Sequence, residues 1–306
     1  MIPYFRVPAQ AFFLIFCFRK SFYFFHTFLR AEGAFGPKTG RRSRKNAFYR
    51  YGRRDVWRGT GGAACRGKAC HSKARRGHNT RVEIAREGLA KPRGRYVTLE
   101  MPSVSVLDER DAAVIETCAA ELRALLPPEG PVLVLGIGNR RVTADALGPR
   151  TAQKILVTMG PQHTLPVKGI RPVAAIAPGV SASTGLTLRQ LAGAMVEAVR
   201  PAALICVDSL CSAEGARLGR SVQFSDTGLY PAQADHAKHL DAAALGVPVI
   251  AAGIPTLMDS DEGADLVVTP RALDSVIAHG SALLAGAINR ALQPRLSVAQ
   301  LFWLAG

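Results

Sequence analysis

The chain has 306 residues, 48% apolar and 20% charged: enough apolar mass for a sizeable core and too little charge for a disordered protein. Its formal net charge of +16 suggests a nucleic-acid or acidic-membrane partner until the charge is located. Residues 1–80 hold 18 Lys and Arg against Glu32 and Asp55, whereas residues 81–306 hold 21 bases and 21 acids.

Eleven of the 13 phenylalanines also precede residue 50, so two unlike segments meet near residue 80. Residues 11–18 form an apolar run that Arg19 and Lys20 stop well short of the ~20 residues of a membrane span. The bulky SFYFFHTFLR follows, where a secretion signal needs small residues at its cleavage site. No membrane partner is expected, and the expected location is cytoplasmic. Residues 36–80 are rich in Gly and Arg without apolar periodicity and are expected to be disordered. Two readings of this front segment stand. Its bases, interleaved with Tyr49, Tyr51 and Trp57, would suit a nucleic acid; alternatively it is an extension without an evolved role, from a misassigned start. Cys65, Cys70 and His71 lack the second ligand pair that a zinc site needs. No metal or other cofactor is expected.

From residue 81 the pattern becomes regular. Residues 111–126 place Val114, Ile115, Cys118, Leu122, Leu125 and Leu126 on one helical stripe, ended by Pro127 and Pro128. PVLVLG (131–136), VAAIAPG (173–179), ALICVDS (203–209), SVQFSDTG (221–228), VPVIAAGIPT (247–256) and LVVTP (266–270) are predicted strands. Helices are predicted near Ala146, over residues 186–200, and from Thr269 as N-cap and Pro270 as first helical residue to about residue 292. Apolar strands alternating with helices define an α/β domain, residues 81–306, around a mostly parallel sheet. The binding crevice of such a sheet lies outside the carboxyl ends of its strands.

GIGN at Gly136–Asn139 lacks the third glycine of a dinucleotide fingerprint. Asp226-Thr227-Gly228 spells the D-T-G of two-lobed aspartic proteases, but in an α/β chain it reads as a coincidental turn, with Asp226 still near the crevice. Asp145 and Asp208 are the stronger candidates, since each follows an apolar strand. A carboxylate there is costly unless it is hydrogen-bonded, binds a metal or shares a proton with another acid. For Asp145 a plain helix N-cap near Ala146 is an equal alternative.

GIGNRRVTADALGP, AIAPGVSASTG, ICVDSL, QFSDTGLYP, LGVPVIAAGIPT and LVVTPRALD, with GRYVTLE upstream, resemble the bacterial germination protease family over about residues 92–294. The resemblance implies a three-layer α/β/α fold of the phosphorylase/hydrolase-like kind. It implies an endopeptidase that degrades small acid-soluble spore proteins in the spore core, made as a zymogen and assembled as a homotetramer. It places the two catalytic aspartates at Asp145 and Asp208. Gly138, Asn139, Pro178 and Gly179, which follow the first two strands, are expected to shape the cleft and offer backbone donors, with Asp226 beside it. Free DNA is not an expected partner of such an enzyme. In place of the family's glycine-rich loop after SDTG stands PAQADHAKHL, which brings Asp235 and His236. A metal-dependent peptidase of the same fold is the alternative, with His236 and His239 as its candidate histidines.

Overall fold

The computed structural model describes residues 68–74, 77–84, 92–108, 110–160, 169–212, 214–229, 239–259 and 267–305. Its strands are β1 (Lys68–Ala74), β2 (Gly77–Ile84), β3 (Gly94–Glu100), β4 (Val132–Gly136), β5 (Val173–Ile176), β6 (Ala203–Cys211), β7 (Ser221–Ser225), β8 (Val249–Asp259) and β9 (Val267–Val268). Its helices are α1 (Ala112–Leu125), α2 (Leu147–Ala152), α3 (Ser181–Thr184), α4 (Leu188–Val199), α5 (Ala242–Leu245), α6 (Leu273–Leu292) and α7 (Val298–Ala305). The strands lie in the order β1-β2-β3-β7-β8-β6-β4-β5, with β9 on the far end of β8.

The sheet has two halves. β5, β4, β6 and β8 are parallel to one another, while β7, β3, β2 and β1 continue antiparallel. In the parallel part, β4 and the nine residues of β6 are buried throughout, as their unbroken apolar runs require. Alternation sorts those side chains into two cores. Val132, Val134, Ile205, Val207, Ile250 and Ile254 pack with α1 and α6 on one face. Leu133, Leu135, Leu204, Cys206, Val249 and Ala251 pack with α4 and α5 on the other. Helices therefore cover both faces, in the three layers of an α/β/α protein.

α1 buries the stripe expected of it, and the Asp111 carboxylate caps it by accepting the Ala113 and Val114 N–H groups. α4 begins at a capping box between Thr187 and Gln190. α6 starts later than predicted. Ala272 (φ −96°, ψ 42°) leaves helical geometry, so the helix opens at Leu273 and Thr269 caps nothing.

The expected boundary at residue 80 is also corrected. β2 crosses it, pairing with β3 from His78↔Glu100 to Ile84↔Gly94, and β1 pairs with β2 in turn. The hairpin is held by the open backbone edge of β3 and by Arg81, which bonds the Glu121 carboxylate of α1. Neither needs an apolar stripe in the hairpin, which is why composition gave no sign of it. Residues 1–67, with Cys17, Cys65 and the Arg/aromatic run, lie outside the described residues, as do Asp235 and His236; of Cys70 and His71 on β1 only the backbone is described. Among the described residues no helix is long and apolar enough to cross a membrane.

Candidate active site

β6 outruns β4. Gly136, the last residue of β4, pairs with Val207, and the Ile137 N–H still reaches the Val207 carbonyl at 2.8 Å. Asp208 is therefore the first β6 residue clear of its neighbour. The chain beyond β4 fills the space by folding back as Ile137–Asn139, a single turn over Thr143–Asp145, and α2. α2 can lie this close to the sheet because Gly148 has no side chain: a Cβ there would stand 2.2 Å from the Ile137 oxygen and 2.3 Å from that of Val207. Asp145, three residues earlier, is thereby carried past the end of β4 to Asp208 of β6.

Asp145 is held from the β4 loop. The Asn139 N–H donates to Oδ2 at 2.7 Å, while Oδ1 is buried without a partner. Gly138 (φ 125°) makes that hold possible, since a Cβ there would lie 2.1 Å from the Asp145 carbonyl oxygen and 2.9 Å from Oδ1. The Asn139 side chain accepts the Arg141 N–H at 3.0 Å and so shapes the loop. From β8, the Thr256 hydroxyl donates to the Ala144 carbonyl at 2.9 Å and anchors the turn from its other side. Thr256, which sequence reasoning passed over, was visible only as a polar residue ending the GIPT run. The N-cap alternative for Asp145 fails here: Ala146 precedes α2, no side chain caps that helix, and the Asp145 carboxyl is bonded to Asn139.

Asp208 is 4% exposed, and its Oδ1 accepts the Ser209 N–H at 2.8 Å. Burial pushes its carboxyl well above the ordinary carboxylate range and the Asp145 charge pushes it further, against the pull of the Ser209 N–H. Burial likewise raises Asp145 to about 6, moderated by the Asn139 N–H. Each group feels the other, so they titrate as a pair. Of the two, the more deeply buried Asp208 is the carboxyl pushed more strongly towards its protonated form.

The other expected cleft residues divide. Gly138 and Asn139 form the loop that holds Asp145. Pro178 and Gly179 follow β5 at the same edge of the sheet, half-buried, just before α3. Asp226 belongs elsewhere. β7 runs antiparallel to β8, with Ser225 opposite Ala251, so the end of β7 lies at the amino edge of the parallel strands. There Asp226 accepts the Arg95 backbone N–H and its Nε, both at 2.7 Å, and ties β7 to β3. His239 sits beside Leu240, which pairs with Leu229. Among the described residues no three His, Cys, Asp or Glu side chains gather as a metal set.

Two buried carboxyls with raised pKa values, one feeling the other's charge, lie beyond the end of β4 on an α/β scaffold, a setting suited to a hydrolase. Comparison with known proteins makes it particular. The profile described as germination protease matches residues 74–262, beginning inside β1. The germination protease of Clostridium perfringens is 32% identical over 279 residues, covering 71% of this chain and 85% of that protein. That of Priestia megaterium is 35% identical over 212 residues, covering 65% and 56%. The chain belongs to the germination protease family, and its activity is that of an endopeptidase of spore germination. Among solved structures a hydrogenase maturation protease from Thermococcus kodakarensis matches at TM-score 0.36 and 18% identity, over 56% of this chain and 98% of that one. That likeness is too slight to bear on fold or chemistry.

Proposed function

We propose that this endopeptidase opens the degradation of small acid-soluble spore proteins and that Asp145 and Asp208 are its catalytic pair. The supporting observation is a pair of buried carboxyls, both raised by burial and Asp208 raised further by the Asp145 charge, inside the segment that matches the family. Asp145, fixed through Oδ2, takes a proton from water on its unpartnered Oδ1, and the water oxygen attacks the scissile carbonyl carbon. Asp208 gives its proton to the carbonyl oxygen. The tetrahedral diol then collapses: a hydroxyl proton returns to Asp208 as the carbonyl re-forms, and the Asp145 proton passes to the leaving nitrogen as the C–N bond breaks. Water is consumed and both carboxyls regain their starting state. These steps use no group beyond the two acids and water.

Gly138 and Asn139 form one wall of the cleft in this reading, and Pro178 and Gly179 the other. Activity in the spore core, zymogen processing and a homotetrameric assembly complete the proposal and rest on family membership. The test is incubation of the full chain with a purified small acid-soluble spore protein, with and without a chelator. Discrete fragments at the same rate in both arms support the aspartic reading. An intact substrate, or cleavage that the chelator abolishes, overturns it.

A further inference from the structure

β7 is buried on both faces, but only one is apolar. Val222 and Phe224 enter the core shared with α1 and α6, while Ser221, Gln223 and Ser225 lie on the opposite face and are equally buried. Thr98 of β3, paired with Gln223, extends this polar band. A buried hydroxyl or amide needs a hydrogen-bond partner to offset its lost hydration. The hydroxyls of Ser225 and Thr227 satisfy each other at 2.7 Å. Gln223 is left over. It is 2% exposed, its Nε2 reaches the Ser221 Oγ only at 3.5 Å, and its Oε1 has no partner. Leaving such an acceptor unsatisfied is destabilising.

Register explains where the missing donor belongs. Gln223 pairs with Gly253 of β8, and Gly253 pairs with Asp208 of β6. Asp208 continues the face of Leu204 and Cys206, and Gly253 that of Val249 and Ala251, so all three positions share one face of the sheet. Two strand spacings, ~9–10 Å, separate the Gln223 and Asp208 backbones, and the residue between them has no side chain. Leu210 leans over Gly253, its Cγ 2.7 Å from where a Cβ would stand. The span between carboxyl and amide is thus apolar in the middle and polar at both ends. An extended peptide with its scissile carbonyl at Asp208 carries a backbone N–H to the Gln223 end about two or three residues away, at ~3.3 Å per residue.

We infer that Gln223 is a substrate-binding residue of the carboxyl-pair site, its Oε1 accepting a backbone N–H of the bound peptide. The inference rests on the catalytic assignment of Asp208 made above. Acting on backbone, the contact aligns the chain without selecting a side chain.

The experiment compares the full-length wild type, Gln223→Leu and Asp208→Asn on a peptide spanning a cleavage site of a small acid-soluble spore protein. KM for Gln223→Leu should rise about 3- to 10-fold with kcat nearly unchanged, the effect of one lost neutral hydrogen bond. Its melting temperature should stay level or rise, because no strong bond of the free protein is removed. Unchanged KM, a loss confined to kcat, or an activity loss that tracks a lower melting temperature would each overturn the inference. Gln223→Met, of similar length, repeats the test if leucine packs poorly. Asp208→Asn reports separately: its retention of full activity refutes the carboxyl pair, while the KM of the Gln223 variants still reports on Gln223.

Discussion

Asp145 and Asp208 are costly residues for this fold, and the sign of their cost is testable. A carboxyl whose folded pKa is raised stabilises the protein fully only below its unfolded pKa, and that stability is lost as pH climbs through the folded value. For Asp145 the window runs from about 4 in the unfolded chain to about 6 in the folded one; for Asp208 it extends higher. At neutral pH, then, the pair weakens the fold. Asp208→Asn should melt a few degrees above the wild type at pH 7–8 and lose that advantage towards pH 4, as thermal melts across the range would record. A variant that melts lower at neutral pH would contradict the burial argument. Gly138→Ala should do the reverse, because its Cβ meets the Asp145 carbonyl oxygen at 2.1 Å. Both its melting temperature and its cleavage rate should fall, the rate by at least about tenfold, since small misplacements of a catalytic group are expensive.

At the scale of elements, the site depends on how β4, β6 and β8 end. Thr256 on β8 holds the turn that carries Asp145, so Thr256→Val should cost about 1 kcal/mol of stability. Denaturant unfolding would measure that, and kcat should fall while KM holds, because the turn positions the acid rather than the substrate. Much of this arrangement was legible in the sequence. The apolar runs at 131–136, 203–209 and 247–256 announced buried strands, the stripe from Val114 to Leu125 announced α1, and the acids following two of the strands pointed to the site. Strand direction was not legible. Alternation in SVQFSDTG is the same whether the strand runs up or down the sheet, so Asp226 was expected at the crevice although the antiparallel course of β7 carries it to the opposite edge. Nor could sequence exclude a helix cap at Asp145; the Asn139 N–H on its carboxylate and the uncapped start of α2 do so.

Composition splits the whole molecule at residue 80, but the sheet runs across that point. β1 and β2 extend the sheet on the open side of β3, and the family match begins at residue 74. Charge and aromatic counts could not reveal this, because a hairpin added to a sheet edge gains its stability from backbone bonding. Two truncations separate the boundaries. Removal of residues 1–67 should leave melting and cleavage close to the full chain. Removal through residue 84 strips both strands, takes Arg81 from Glu121 and bares the β3 edge, so melting should drop and aggregation rise. Equal behaviour of the two truncations would show that the hairpin adds nothing to the fold.

The central claim, that two aspartates act as one proton-sharing unit, is tested most directly by a double-mutant cycle. Cleavage of a small acid-soluble spore protein would be timed for Asp145→Asn, Asp208→Asn and the double variant, each checked for folding. The account predicts a loss of about 10²–10⁴-fold in either single variant, because asparagine cannot exchange the proton, and a double variant scarcely slower than either. Near-normal cleavage by one single variant, or losses that multiply in the double, would contradict it.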